Sequence, residues 1–282
     1  MSLIFYPVSA INFTILVTTN CNLRCNHCGH GCDSKNSKRD ADLDKVMEST
    51  KHLYNLFMKY KGDVKVFINY MGGEPLLYKP LPKLLNFTKK ECPEFNRDLV
   101  TNALAAPTMS TKLIDAIVGN EFQLDITKYP IKGYNYGKLL NYLKSLGIRT
   151  HIVETEVMRL KTVKTIPQVQ AWFYEHFYVA KPFKSCFSSA IECKKSVEGM
   201  FCMPIWNEWL FPCTNIFEVF NGQMSDKKYL DIPITNKDKI RVKDITSIED
   251  LLSRLEELFP FCNHCAGAYL REWNTNVKVK LI

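Results

Sequence analysis

The chain has 282 residues, of which 46% are hydrophobic and 23% are charged, and its formal net charge is +8 at pH 7. These proportions are ordinary for a folded protein and exclude a disordered or fibrous chain, and the length fits a barrel-sized domain with a small appendage. The positive charge is spread along the chain without a long run of Lys and Arg. We therefore expect a solvated basic surface, or attraction of an acidic substrate, and no binding of nucleic acid.

The N-terminal segment MSLIFYPVSAINFTILVTTN is apolar, but it has no basic region and contains Pro7, Ser9, Asn12 and Thr14. A secretory signal is therefore not expected. No stretch reaches the roughly 18 to 20 uninterrupted apolar residues that a membrane helix needs, and neither end carries a lipidation motif. We expect a cytoplasmic protein that does not bind membranes.

Short β-rich runs alternate with amphipathic helical patterns over the first two thirds of the chain. Strands are expected at Asn12–Thr18, Val64–Tyr70, Asp98–Asn102, Gln123–Thr127 and Arg149–Glu154, with a sixth at Phe177–Phe183. Helices are expected at Asp42–Lys59, Leu81–Lys90, Ser110–Gly119 and Tyr134–Leu146. This βαβ series predicts an α/β fold with a parallel sheet, either open or closed into a full or partial barrel, whose functional loops follow the strands.

The 11 cysteines are distributed unevenly along the chain. Four lie between Cys21 and Cys32, six lie between Cys186 and Cys265, and only Cys92 lies in the interval between them. Without an export signal, this many cysteines indicate metal or redox chemistry rather than disulfides. The distribution predicts two separate inorganic sites.

The first cluster contains Cys21, Cys25 and Cys28, with the spacing C-x3-C-x2-C, directly after the first predicted strand. Soft thiolates select iron–sulfur clusters, zinc or copper(I). If these three thiolates hold a 4Fe-4S cluster, one of its irons lacks a protein ligand and can bind a substrate or cofactor.

At this loop the chain resembles the radical S-adenosylmethionine (radical SAM) superfamily, and the segment Met71-Gly-Gly-Glu-Pro75 after the second strand resembles the family's Gly-Gly-Glu-Pro motif. The resemblance implies a partial (β/α)6 barrel in which S-adenosylmethionine binds the open iron of the cluster. It further implies contacts with this cofactor from residues at four strand ends: Gly72, Gly73, Glu74 and Pro75, then Asn102, Asp125 with Thr127, and Glu154.

Cys32 extends the first run to C-x3-C-x2-C-x3-C. A fourth thiolate could close the cluster into an electron-transfer centre of ferredoxin type. The Gly72–Pro75 segment argues against closure, because a closed cluster has no use for a cofactor cradle. We therefore expect an open cluster with Cys32 outside it.

The C-terminal part is rich in cysteine and aromatic residues and contains a predicted helix at Ser247–Leu258. The pair Cys262-Asn-His-Cys265 has the spacing of a metal knuckle. With Cys202 and Cys213, it resembles the twitch form of the SPASM extension, which implies an auxiliary 4Fe-4S cluster. Cys186 or Cys193 could replace Cys202, His264 could be a ligand, and a structural zinc is the alternative. The predicted domains are residues 1–184 and 185–282.

The resemblance implies cleavage of S-adenosylmethionine to a 5'-deoxyadenosyl radical that removes a hydrogen atom from the substrate, leading to dehydrogenation or epimerisation. It also implies a reductant such as flavodoxin or ferredoxin. The whole chain is similar to uncharacterised radical SAM proteins associated with glycan and capsule biosynthesis, which favours a carbohydrate or nucleotide-sugar substrate. A peptide-modifying enzyme, a glycyl-radical activating enzyme and a non-catalytic metal scaffold are the alternatives, and no substrate acid or base is assigned.

Overall fold

The computed structural model of this protein describes residues 10–25, 28, 30–32, 38–60, 65–154, 157–163, 201–212, 214–225, 234–256, 259–261 and 265–272. The strands among them are β1 Ala10–Thr18, β2 Lys65–Gly72, β3 Asn96–Thr101, β4 Gln123–Lys128, β5 Arg149–Glu154, β6 Val157–Val163, β7 Phe201–Trp206, β8 Trp209–Leu210, β9 Ile240–Arg241 and β10 Cys265–Glu272. Eight of these strands form one sheet in the order β5-β4-β3-β2-β1-β7-β8-β9, and β6 pairs with β10 in a separate sheet.

The strands β1 to β5 are parallel and lie in sequence order. The crossovers between them contain the helices α1 Leu43–Phe57, α2 Leu81–Glu91, α3 Thr111–Gly119 and α4 Tyr136–Ser145. Ser110 caps α3 by accepting a hydrogen bond from the Leu113 N–H, as its position before the apolar pattern predicts. The α/β class, the five strands and the four helices expected here are confirmed, with ends that differ by at most two residues.

The two faces of the parallel strands differ in chemistry. Tyr70 of β2 is fully buried under α1 and α2, where its hydroxyl lies 2.6 Å from Oγ1 of Thr88 and donates to Thr50. Successive residues of a strand point to opposite faces, and the register places Leu99 and Leu124 in the same row as Tyr70. The opposite face, which we call the inner face, carries polar side chains, among them Asn69, Asp98, Gln123, Asp125 and His151.

The C-terminal third of the chain extends the same sheet on the far side of β1. The strand β7 lies parallel to β1, with Ile205 opposite Ile15, and β8 and β9 follow in antiparallel pairing. The α-helices among the described residues of this part are α5 Thr214–Ser225 and α6 Ile248–Glu256. The helix expected at Ser247–Leu258 is therefore confirmed, whereas the strands β6 to β10 were not expected from the sequence.

A shared hydrophobic core joins these two parts of the described chain. Phe13 and Ile15 of β1 belong to the same buried cluster as Ile205 of β7 and Phe217 of α5, and the rings of Phe217 and Trp206 lie 5.9 Å apart. The domain boundary expected after residue 184 and the sixth strand expected at Phe177–Phe183 both lie outside the described residues. Among the helices that the structure describes, none is long and apolar enough to cross a membrane.

Candidate iron–sulfur and cofactor site

The loop after β1 brings Cys21, Cys25 and Cys28 to the wall of one pocket at the carboxyl ends of the parallel strands. Cys25 is buried, and the other two side chains are half-buried. The space inside the pocket, counted together with the part that is open to solvent, is about 480 Å³. Its other lining residues are Leu23, His30, Met71, Gly72, Gly73, Val100, Thr101, Asn102, Thr127 and Tyr129.

Two N–H donors approach the sulfur of Cys21. The Leu23 N–H donates to its Sγ at 3.3 Å, and the side-chain amide of Asn102 lies 3.8 Å from the same atom. Burial raises the pKa of this thiol well above its usual value, with further contributions from the negative charges of Glu74 and Cys28. The thiol is therefore protonated without metal, and a metal centre must displace this proton when it binds.

The Gly72-Gly73 segment packs directly against the residues that lead into the cysteine loop. The N–H of Gly73 donates to the Thr18 carbonyl, and the N–H of Glu74 donates to the Asn20 carbonyl, each at 2.7 Å. A Cβ atom on Gly72 would lie 2.1 Å from the oxygen of Thr18, and one on Gly73 would lie 2.1 Å from the oxygen of Asn20. Gly72 and Gly73 form one wall of the pocket, and glycine is required at both positions for this wall to pack against the residues before Cys21.

Glu74 lies behind this wall rather than on its surface. Its side chain is fully buried, and it accepts hydrogen bonds from the Leu76 N–H, the Thr101 hydroxyl and the Asn102 N–H at 3.0, 2.5 and 2.9 Å. Burial raises the pKa of Glu74 to about 7, although these three bonds act in the opposite direction. In this arrangement the carboxylate links the ends of β2 and β3, and its neighbour Pro75 begins a 3-10 turn.

Asn102 connects that carboxylate to the cysteine loop. Its backbone N–H binds Glu74, its Oδ1 accepts a bond from the Leu104 N–H at 2.9 Å, and its Nδ2 donates to Oδ1 of Asn22 at 2.8 Å. The side chain is 5% exposed, and it lines the pocket. Asn102 therefore orients the loop and also presents an N–H group to the cluster site.

The predicted residues on β4 and β5 lie in two different environments. Thr127 lines the pocket. Asp125 lies two residues earlier in β4, and its Oδ1 accepts a hydrogen bond from the side-chain amide of Gln123 at 3.0 Å. His151 of β5 is 3.4 Å from the same carboxylate. Glu154 ends β5, and its side chain lies outside the described residues.

Tyr129 is a pocket residue that the sequence analysis missed. It follows Thr127 by two residues, lines the pocket and packs against the small cluster of Leu23, Cys25 and Leu104. Burial raises the pKa of its hydroxyl well above the usual value, and the negative charges of the nearby cysteines add to this effect. The available signal was its place just after a strand end in a βαβ series.

Cys32 and Cys92 do not line the pocket. Cys32 is buried and directs its Sγ toward the His30 carbonyl at 3.6 Å, and Cys92 is buried in the main core. No group of three or more His, Cys, Asp or Glu side chains among the described residues is placed to hold a single metal ion. In a 4Fe-4S cluster each thiolate binds a different iron atom, so the thiolates lie farther apart than the ligands of one ion.

The predicted auxiliary site falls largely outside the described residues. Cys202 lies in β7 and Cys265 begins β10, but their side chains are not among those described. Cys213 and Cys262, with the alternatives Cys186, Cys193 and His264, lie outside the described residues altogether. The auxiliary cluster therefore stays a prediction.

The donor set of the N-terminal site fits an iron–sulfur cluster. Three thiols from one short loop line a single pocket, N–H groups point at one of the sulfurs, and the fourth nearby cysteine lies off the pocket. Backbone and amide groups from the ends of β2 and β3 complete the wall. The pocket therefore offers sulfur ligands on one side and hydrogen-bonding groups for a polar cofactor on the other.

The chain is similar to several proteins of known structure. A structure of BtrN in complex with AdoMet and 2-DOIA aligns over 91% of this chain and 89% of that chain, with 15% identity and a TM-score of 0.48. Native anSMEcpe with bound AdoMet aligns over 90% and 82%, with 14% identity and a TM-score of 0.48. Streptococcus suis SuiB bound to S-adenosylmethionine aligns over 52% and 33%, with 16% identity and a TM-score of 0.36. No protein-family model and no curated protein sequence matches the chain.

Proposed function

We propose that this chain is a cytoplasmic radical SAM enzyme. The observation that carries the proposal is the convergence of Cys21, Cys25 and Cys28 with the Gly72-Gly73 backbone on one pocket. A metal scaffold would explain the thiols but not a glycine wall that forms the other side of the same cavity. Under this proposal the cluster binds these three cysteines and S-adenosylmethionine occupies the remainder of the pocket.

When bound, the reduced cluster and S-adenosylmethionine supply a 5'-deoxyadenosyl radical that can take a hydrogen atom from an unactivated carbon. The protein's own residues hold and orient these groups. The N–H groups of Gly73 and Glu74 are already bonded to the Thr18 and Asn20 carbonyls, so carbonyl oxygens of this segment are the groups that would accept a bond from an ammonium group. Asn102 and Thr127 line the pocket and offer hydrogen bonds to carboxylate or ribose groups.

For the substrate we propose a carbohydrate or nucleotide-sugar that is dehydrogenated or epimerised. Support comes from the inner face, where Asp125 lies in register beside Val100, which lines the pocket, and Asp98 lies two residues before Val100. Gln123 and His151 accompany these carboxylates. These four side chains offer several hydrogen-bond donors and acceptors, which suit a polyhydroxylated substrate.

For the C-terminal part we retain the proposal of an auxiliary 4Fe-4S cluster on Cys202, Cys213, Cys262 and Cys265, in a unit spanning residues 185–282 beside a barrel of residues 1–184. The support is the spacing of the cysteines. Full ligation by four thiolates would make this cluster an electron conduit for substrate oxidation. A flavodoxin or ferredoxin is the proposed reductant of the N-terminal site.

The test is anaerobic reconstitution followed by incubation with S-adenosylmethionine and dithionite. We expect wild-type protein to form 5'-deoxyadenosine and Cys25→Ala to form none. Cys92→Ala is the matched control, because Cys92 is a buried cysteine of the main core that does not line the pocket. Full cofactor cleavage by the Cys25→Ala protein, or none by wild-type protein that holds its iron, would refute the proposal.

Iron and zinc analysis of the same preparations tests the auxiliary site. About eight irons that fall to about four when Cys21, Cys25 and Cys28 are all replaced by alanine would support two 4Fe-4S clusters. About four irons that fall to none, with one zinc retained, would make the C-terminal site structural.

A further inference from the structure

The exit of the cysteine loop lies against α5, a helix from the C-terminal third of the chain. Asn221 of α5 is 1% exposed, and its Nδ2 donates to the carbonyl oxygens of His30 and Gly31 at 2.9 and 3.3 Å. These carbonyls follow Cys28 by two and three residues. A residue almost 200 positions away in sequence therefore binds the backbone next to a predicted cluster ligand.

Backbone hydrogen bonds connect this anchor to the cysteines. The Cys28 N–H donates to the Cys25 carbonyl at 3.2 Å, and the Gly31 N–H donates to the Cys28 carbonyl at 2.9 Å. Two backbone hydrogen bonds thus link Cys25, Cys28 and Gly31, one of the residues that Asn221 binds. The Gly31 backbone is therefore bonded both to Cys28 and to Asn221.

Gly31 allows the loop to reach the helix. Its φ is +65°, a conformation that glycine adopts without strain. A Cβ atom at this position would lie 3.0 Å from Nδ2 of Asn221 and 3.3 Å from the Glu218 carbonyl oxygen. The loop backbone therefore lies directly on α5, and a side chain at this position would push against Asn221 and the helix backbone.

Arg39 ties the same asparagine to the entrance of the loop. Its Nη2 donates to the backbone oxygen of Asn221 at 3.1 Å and also to the side-chain Oδ1. The backbone of Arg39 pairs with Thr19, which donates to the Arg39 carbonyl at 2.8 Å and accepts from the Arg39 N–H at 2.9 Å. Since Thr19 lies two residues before Cys21, the Arg39–Asn221 pair connects both ends of the cysteine loop.

We propose that Asn221 is a positioning residue for the N-terminal iron–sulfur site, acting with Arg39 to fix the backbone that carries Cys21, Cys25 and Cys28. This inference rests on the proposed function for the identity of the cluster. It assigns to the C-terminal third a direct part in the N-terminal site. Removing a polar group that orients a metal ligand commonly lowers metal affinity or activity by about 10- to 100-fold.

The informative variant is Asn221→Asp in the full-length protein. Aspartate keeps an oxygen acceptor for Arg39, but it replaces the donated N–H with a second acceptor facing the His30 and Gly31 carbonyls. The Arg39 contact is thus preserved while the loop contact is lost. The matched control is Asn120→Ala, which removes a side-chain amide that donates to Ala116 and Asn86 at the end of α3, away from the loop.

Two measurements decide the proposal. In reconstituted protein, we expect Asn221→Asp to release iron to a ferrous chelator about 10- to 100-fold faster than wild type, and to alter the change in the cluster's electron paramagnetic resonance signal when S-adenosylmethionine is added. In the apoprotein, we expect faster alkylation of Cys28, measured by mass spectrometry against the buried Cys92 as an internal reference. Asn120→Ala should behave as wild type in each measurement.

Wild-type rates and spectra in the Asn221→Asp protein would overturn the inference, as would equal changes in the Asn120→Ala protein. The alkylation measurement needs no cluster, so it decides the role of Asn221 even if the wild-type protein cleaves no S-adenosylmethionine. Failure of the wild-type protein to cleave S-adenosylmethionine would count against the proposed function but not against the role of Asn221.

Discussion

The backbone N–H of Asn102 donates to Oε2 of Glu74 at 2.9 Å inside a fully buried contact between the ends of β2 and β3. The side chain of the same asparagine reaches the sulfur of Cys21. A carboxylate in the glycine-rich segment thus supports the cysteine loop through one intermediate residue. The Gly72–Pro75 segment and the cysteine loop are therefore parts of one hydrogen-bonded unit.

Replacing Glu74 with Gln tests this unit. The carboxylate faces three donors, so a glutamine NH2 group must point at either the Leu76 N–H or the Asn102 N–H. One buried N–H then loses its acceptor, which costs about 1–3 kcal/mol. We expect a lower free energy of unfolding and weaker iron retention, measured by denaturant unfolding and iron analysis. Glu48→Gln, at an exposed position on α1, should leave both unchanged; an equal effect of the two substitutions would contradict the prediction.

The parallel half of the fold was predictable because its signals are local. Alternation of apolar runs, helix caps such as Ser110 and the position of the cysteines after the first strand all appear within short windows of sequence. The same logic placed Asn102 and Thr127 at strand ends that meet at one edge of the sheet. Parallel strands in sequence order bring these ends together without further information.

The remaining features depend on pairing between distant segments. The strand β7 contains Pro204 and Cys202, which do not follow the alternating pattern, and its partner β1 lies 190 residues earlier. The burial of Glu74 and the anchoring of the loop by Asn221 likewise follow from tertiary contacts. A motif identifies residue types at a site, but it does not state which side chain faces the ligand and which supports the wall.

Gly73→Ala tests the wall itself. A Cβ atom at this position would lie 2.1 Å from the Asn20 oxygen and 2.5 Å from its carbonyl carbon, so the backbone before Cys21 must move. We expect a loss of about 3 kcal/mol in the free energy of unfolding of the apoprotein, together with loss of the N-terminal cluster. Gly119→Ala is the control, since it meets nothing within 4 Å at the end of α3 and should stabilise by about 0.5 kcal/mol. If the Gly73→Ala protein is as stable as wild type, the backbone around Asn20 can move away from the new methyl group without cost.

Cys32→Ala tests whether the cluster is open. Cys32 lies off the pocket with its sulfur near the His30 carbonyl, so we expect this variant to keep its iron and to form 5'-deoxyadenosine at the wild-type rate. Cys28→Ala, which removes a pocket thiol of the same loop, should lose both. Iron analysis and chromatographic detection of 5'-deoxyadenosine are the measurements. Loss of about four irons in Cys32→Ala would instead identify a closed cluster with four protein ligands.

Asp98 provides a test of the inner face through pH. Burial raises the pKa of this carboxyl to about 6, and the negative charge of Asp125 adds to the effect. The folded protein therefore binds a proton more tightly than the unfolded chain, whose carboxyl has a pKa near 4. The stabilisation is present below about pH 4 and is lost as the pH rises to about 6.

We expect Asp98→Asn to remove this loss of stability at high pH. The free energy of unfolding of the variant, relative to that of wild type, should be higher at pH 8 than at pH 4 by about 1 kcal/mol. The difference is this small because water screens the half-exposed carboxylate. Denaturant unfolding of the apoprotein at the two pH values gives the difference directly. Asp115→Asn, at an exposed position on α3, should show no comparable change. A difference between Asp98→Asn and wild type that does not vary with pH would mean that Asp98 ionises normally and that burial on the inner face does not raise its pKa.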